Sequence, residues 1–211
     1  YQYQAYHLSS QVGFPSDDGW LRATWAQNLV NLRQSDLPAT SPLWTILLAI
    51  GTPLGTNLPI WAHLLGAVFL ALTALYVYKL ALRLMDGKKV LGFICALLTV
   101  VEFRLLWGAQ SGLEMTLFTF LSLATICTYL ENREHPRHAM IFCGLSLWAR
   151  PEGLLLFIAL GLDQFVRGLR LRKGHLKRLG GGTFLFGAFL APDLLFNRAT
   201  SGHLLGSFMA T

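Results

Sequence analysis

Long apolar runs, separated by short charged connectors, dominate the pattern of this chain. A helix needs about 20 apolar residues to cross the hydrocarbon core of a bilayer, because it rises 1.5 Å per residue. The runs therefore predict a series of membrane-spanning helices. The predicted spans are Ile60 to Leu84, Val90 to Trp107, Leu113 to Leu130, a short hairpin of Ala139 to Trp148 with Leu154 to Val166, and Leu179 to Phe196.

Composition agrees with this pattern. Hydrophobic residues make up 54% of the 211 residues, charged residues only 13%, and the mean hydropathy is +0.48. A soluble domain usually carries about twice that charged fraction. We therefore expect an all-α, multi-pass membrane protein with residues 1–211 in one transmembrane domain. Since the chain opens in a polar loop without a preceding span, we expect a fragment that lacks that span and C-terminal portions.

The basic residues orient the predicted spans. Most of the 17 Lys and Arg residues lie in or beside the connectors MDGKK (85–89), ENREHPRH (131–138) and RGLRLRKGHLKR (167–178). The positive-inside rule puts these connectors in the cytoplasm. The first loop (1–59), the turns at 110–114 and 150–153, and the tail from Asn197 then face outward. Because the charge alternates between loops, the net charge of +6 indicates topology, and no nucleic-acid partner is expected.

The outward segments share the sequence features of helix starts. The predicted starts are at Ser16 with Asp17, Ser41 with Pro42, Ser111, and Arg150 with Pro151. Ser111 with Glu114 also has the S-x-x-E spacing of a capping box. Several helix N-termini on one face would present free N–H groups to a phosphate or pyrophosphate. Glu114 and Glu152 have two interpretations: they line such a cleft, or they only cap their own helices.

An amphipathic helix is predicted in the first loop, from Asp18 to Arg33. Leu21, Trp25, Leu29 and Leu32 form its apolar face, while Arg22 and the Asn and Gln residues fall largely on the other face. Such a helix lies along the outer leaflet and does not cross it. Asp17 and Asp18 stand at its start. One of them can serve as the N-cap, but two adjacent carboxylates exceed what one cap needs.

Three further features of the outer face bear on function. Arg150 lies at the tip of the short hairpin, and an ionisable side chain at membrane depth is a functional candidate. The alternative is that Arg150 reaches the lipid headgroups or pairs with Glu152. His203, in the tail, is a further candidate on the outer side. The three cysteines lie within apolar runs and imply neither a disulfide nor a metal site.

Five segments in order resemble a known family: DDGWLRATWAQNL, TSPLWTILLA, VEFRLLWGAQSGLEMTLF, GLSLWARPEGLLL and SGHLLGSFMAT. They are similar to the bacterial polytopic glycosyltransferases of the GT-C fold, which are relatives of the protein mannosyltransferases, the lipid A aminoarabinose transferase and the mycobacterial arabinofuranosyltransferases. The resemblance covers nearly the whole chain. It implies a multi-pass enzyme of the bacterial cell (inner) membrane, acting in the cell envelope, with its active site on the extracytoplasmic side.

The resemblance also implies roles for single residues. The enzyme would take a sugar from a polyprenyl-phosphate donor and transfer it to a hydroxyl of a glycan, lipid or protein acceptor. Asp17 would be the base that removes the acceptor proton, and Asp18 would orient it or bind a cation. Arg150 is our candidate for the donor phosphate, since a guanidinium can bind phosphate oxygens bidentately. Arg22 and His203 are further candidates for that role, and Glu114 and Glu152 complete the predicted substrate site.

Two other classes of protein are compatible with parts of this pattern. A transporter or flippase for lipid-linked sugars would also be multi-pass, although transporters favour broken helices in paired repeats, and no repeat is visible here. A membrane assembly subunit without chemistry would need neither the Asp pair nor Arg150. The first loop holds no DxD motif, so a divalent cation stays an open alternative.

Overall fold

The computed structural model describes residues 14, 17–31, 41–133 and 136–171. All regular structure in these ranges is α-helical, which confirms the predicted all-α class for this part of the chain. The predicted span at 179–196 and His203 lie outside the described residues. The helices are α1 (Asp17–Val30), α2 (Pro42–Gly51), α3 (Leu58–Leu84), α4 (Lys89–Val101), α5 (Phe103–Gln110), α6 (Met115–Glu131), α7 (Arg137–Ala149) and α8 (Gly153–Leu171).

One predicted span is broken in the structure. The run from Val90 to Trp107 forms two helices, α4 and α5, with a bend of 52° between them. Glu102 causes the break: its backbone is extended, and its carboxylate accepts a hydrogen bond of 2.8 Å from the backbone N–H of Leu105. Glu102 is thus the N-cap of α5, a role that its place inside an apolar run concealed.

The first loop contains a buried helix. The predicted start at Ser41 and Pro42 is confirmed: Ser41 precedes α2, and Pro42 opens it. Trp44 and Leu48 are fully buried, and the Trp44 indole N–H donates a hydrogen bond of 2.8 Å to the carbonyl oxygen of Gly112. This bond ties α2 to the turn between α5 and α6.

The remaining helices pack around α3 and α6. Helix α3 contacts α4, α5 and α6, α6 contacts α7, α7 contacts α8, and α2 lies between α1 and α7. One buried apolar cluster includes Trp44, Leu48, Leu117 and Leu121, and a smaller one between α6, α7 and α8 includes Tyr129. The first cluster supports the segments that carry the candidate site.

Fewer of the described helices are long and apolar enough to cross a membrane than the sequence pattern predicted. Among the described helices, α3 alone is long and apolar enough to cross a bilayer by itself, and α4 with α5 passes only as one bent span. Helix α6 has 17 residues and α7 has 13, which is shorter than a typical span. The multi-pass architecture therefore stays a prediction.

Helix α1 is present as predicted, and Trp25 of its predicted apolar face is buried, but small residues and Arg22 are buried as well. Gly19, Ala23 and Ala26 are buried, and the Arg22 side chain is only 12% exposed, whereas Leu21 is half-buried. A Cβ on Gly19 would overlap the carbonyl oxygen of Ser111. The small residues thus let α1 approach the turn after α5. The prediction that Arg22 lies on the polar outer face is wrong, because this close packing turns it inward.

Candidate functional site

The turn between α5 and α6 frees the Glu114 carboxylate from a capping role. Ser111 closes α5, and its hydroxyl donates a hydrogen bond of 2.9 Å to the carbonyl oxygen of Gly108. Glu114 precedes α6, but its side chain caps nothing. The predicted capping box of Ser111 and Glu114 is therefore wrong, since a turn through Gly112, with φ at +74°, separates Ser111 from α6.

Glu114 forms a buried ion pair with Arg22. The Arg22 Nε lies 3.2 Å from the Glu114 Oε2, and the Arg22 Nη2 donates a hydrogen bond of 3.3 Å to Oε1. The Glu114 side chain is only 6% exposed. Arg22 also lies over the Trp25 ring, 5.0 Å from its centroid. Two separate interactions thus hold this guanidinium in a fixed place.

Burial and neighbouring charges act on Arg22 in opposite directions. Removal from water lowers the pKa of the Arg22 guanidinium, while the carboxylates of Glu114 and Asp18 act to raise it. Arginine keeps its proton in proteins because its ordinary pKa lies far above neutral pH. Arg22 is therefore a buried cation that needs nearby carboxylates, and Glu114 supplies the closest one.

Arg150 also contacts the Glu114 carboxylate. It follows the last residue of α7 in an extended conformation. Its Nε lies 3.7 Å from the Glu114 Oε1, and its Nη2 lies 3.3 Å from the Glu152 Oε1. The pairing of Arg150 with Glu152, which the sequence offered as the alternative to a functional role for Arg150, is present, and the contact with Glu114 was not foreseen.

Four of the predicted site residues thus meet in one network, which we call the charge cluster: Arg22, Glu114, Arg150 and Glu152. They come from three segments that are far apart in sequence. Their formal charges sum to zero, and their side chains range from buried to half-exposed. Arg22 and Glu114 form the buried end, whereas the side chains of Arg150 and Glu152 are 35% and 45% exposed.

This gradation gives the members different chemical capacities. Glu114 faces two guanidinium groups: its Oε1 accepts a hydrogen bond from Arg22, and its Oε2 has only the ion-pair contact, so the carboxylate suits a positioning role more than a proton-transfer role. Arg150 is the cation of the charge cluster that a solute or lipid headgroup can reach. Its exposed pair with Glu152 is weakly held, as half-exposed ion pairs generally are.

The two aspartates lie at the start of α1. Asp17 is the first residue of the helix and Asp18 the second, so both are in its first turn and not at the position before it. Asp18 is exposed, and its charge acts on Arg22, which follows four residues later on the helix. The predicted catalytic roles of both residues stay predictions.

Sequence reasoning missed the aromatic support beside the charge cluster. Phe14 is 4% exposed, and its ring packs edge-on against Trp20 on α1, with centroids 5.3 Å apart, and against His63 on α3, 5.9 Å apart. A Cβ on Gly112 would overlap the same ring. These contacts fix the first turn of α1 against α3 and the turn at 111–114. No periodicity connects these residues, so no sequence pattern indicated the contacts.

Within the residues that the structure describes, no three His, Cys, Asp or Glu side chains are grouped so as to hold a metal ion. Comparisons of the chain with known protein families, characterised proteins and solved structures found no match.

Proposed function

We propose that this chain belongs to a polytopic glycosyltransferase of the GT-C type, which transfers a sugar from a polyprenyl-phosphate carrier to an acceptor hydroxyl on the extracytoplasmic face of the membrane. The observation that carries the proposal is the charge cluster. It connects the reachable Arg150 guanidinium through Glu114 to Arg22, which lies on α1 four residues after Asp18.

Exposed apolar side chains support a membrane setting. Phe103 is 76% exposed, Val90 73% and Leu155 68%, and many other large apolar residues of α3, α4 and α8 are also exposed. Large exposed apolar surfaces generally mark contact with a partner or a membrane. Contact with lipid acyl chains would cover these side chains without a cost in polar desolvation.

The position of the charge cluster along the helices supports an extracytoplasmic site. Glu114 precedes α6, whereas Glu131 ends it, and a helix of 17 residues is about 25 Å long. The basic connectors at 85–89 and 131–133 lie at the ends of α3 and α6 that are remote from the charge cluster. Under the positive-inside rule those basic ends are cytoplasmic, so the charge cluster faces outward.

The proposed reaction is a substitution at the anomeric carbon of the donor sugar. Asp17 accepts the proton of the acceptor hydroxyl, whose oxygen forms the new bond to that carbon. The bond between the carbon and the phosphate oxygen breaks, and its electron pair leaves with the polyprenyl phosphate. Arg150 binds the phosphate and stabilises this charge, while Glu114 holds the Arg150 guanidinium in position. Asp18 orients Asp17.

Donor binding by Arg150 is tested with a matched pair of variants. Arg150→Ala should weaken binding of polyprenyl phosphate to the full-length protein in nanodiscs by about ten- to a hundredfold, since a charge-assisted contact is worth about 1.5–3 kcal/mol. Arg83→Ala is the control, because Arg83 also pairs with a half-exposed glutamate, Glu131, but at the other end of α6. Equal affinities for both variants and the wild type would remove the phosphate role. Movement of labelled lipid across the bilayer without sugar transfer would favour the transporter alternative.

A further inference from the structure

The geometry points to Glu152 as a built-in competitor of the lipid phosphate: we propose that its carboxylate occupies the binding position on Arg150 in the resting protein and returns to expel the polyprenyl-phosphate product. This inference rests on the proposed function, which it deepens by assigning a step of the cycle to Glu152.

Arg150 contacts two carboxylates through different nitrogens. Its Nε faces the buried Glu114, which is fixed by the pair with Arg22. Its Nη2 faces Glu152, whose side chain is 45% exposed. The inner contact therefore holds the guanidinium in place, whereas the outer contact engages one of the two terminal nitrogens that a bidentate phosphate would use.

A phosphate can readily replace Glu152 in the outer contact with Arg150. Glu152 lies in the two-residue turn before α8, and no hydrogen bond to its carboxylate is present among the described contacts besides the ion pair of 3.3 Å with Arg150. A half-exposed ion pair contributes little free energy. A carboxylate also presents two oxygens to a guanidinium in the geometry that a phosphate uses. Glu152 can thus leave and return without disturbing the buried end of the charge cluster.

The two lipid ligands differ in charge. The donor is a phosphodiester with one negative charge, whereas the released polyprenyl phosphate is a monoester that carries about −1.5 to −2 at pH 7. An uncontested arginine would therefore hold the product more tightly than the donor. A competing carboxylate lowers the affinity of Arg150 for both ligands. When the product phosphate leaves, the carboxylate returns and replaces the lost contact with Arg150.

The test measures binding of polyprenyl phosphate to full-length protein in nanodiscs, with Glu152→Gln beside the wild type. We expect the variant to bind about two- to fivefold more tightly, the range that a half-exposed ion pair implies. Glu152→Ala should change affinity in the same direction, which guards against a folding defect in one variant. The control is Glu131→Gln, since Glu131 forms a comparable half-exposed pair with Arg83. Its affinity should equal that of the wild type.

A turnover measurement adds a readout that a purely structural role would not change. In Glu152→Gln, inhibition of sugar transfer by added polyprenyl phosphate should become stronger by the same factor as binding. Unchanged or weaker binding in both Glu152 variants would overturn the competitor role while leaving the proposed function intact. Absence of polyprenyl-phosphate binding in the wild type itself would overturn the proposed function, and this inference with it.

Discussion

Removal of the Glu114 charge tests the buried end of the charge cluster most severely. In Glu114→Gln, Arg22 would keep its positive charge in a place where its side chain is only 12% exposed. Loss of one partner of a buried ion pair generally costs about 3–5 kcal/mol, because the other charge stays buried without compensation.

Three features of the structure reduce that cost. Arg22 keeps its contact with the Trp25 ring, Asp18 lies close enough to act on it, and the glutamine retains a carbonyl oxygen as acceptor. We therefore expect Glu114→Gln to lower the free energy of unfolding by about 2–4 kcal/mol. The double variant Arg22→Met, Glu114→Gln should lose less than the sum of the two single variants, with a coupling energy of about 1.5–3 kcal/mol.

Equilibrium unfolding in detergent micelles, followed by far-UV circular dichroism, measures all four proteins of this cycle. A parallel cycle with Arg83→Met and Glu131→Gln serves as control. That pair is 3.6 Å apart and about half exposed, so its coupling should be no more than about 1 kcal/mol. Additive effects of the Arg22 and Glu114 substitutions, within about 0.5 kcal/mol, would refute the claim that the two side chains form a buried, interdependent pair.

The packing around the turn at 111–114 gives two further predictions. Gly19→Ala should displace α1 and lower the melting temperature, because the new Cβ would overlap the Ser111 carbonyl oxygen. The control is Gly161→Ala on α8, where the new Cβ meets open space. This variant should be neutral or stabilising in the same thermal melt. Trp44→Phe removes the buried hydrogen bond to Gly112 and leaves that carbonyl without its donor, so unfolding in detergent should become easier by about 1–3 kcal/mol; a change below about 0.5 kcal/mol would show that water replaces the indole.

Hydrophobic patterning predicted most helix positions because it reports burial or lipid contact directly. The spans around α3 and α6 and the hairpin of α7 and α8 begin and end within a few residues of the predicted bounds. The break at Glu102 escaped detection, since one polar residue in an apolar run fits either a continuous helix or a cap. Only the hydrogen bond to Leu105 distinguishes these two states.

The candidate site was predictable in its residue types but not in its pairing. Arg150 and Glu152 are neighbours in sequence, so their contact could be foreseen. The contact between Arg22 and Glu114 joins residues 92 positions apart, and it depends on the close approach of Gly19 to the Ser111 carbonyl. Helix periodicity alone assigned Arg22 to the polar face, because it contains no information about which neighbour a helix packs against.

Sugar transfer itself is the most direct test of the proposed glycosyltransferase. Full-length protein in liposomes would receive a panel of radiolabelled polyprenyl-phosphate sugars, with the wild type beside an Asp17→Asn, Asp18→Asn double variant. The wild type should transfer label to an acceptor, and the double variant should not, although it still binds polyprenyl phosphate. Full transfer by the double variant would contradict the assignment of the base. Transport of labelled lipid across the bilayer, with no transfer by the wild type, would contradict the glycosyltransferase proposal.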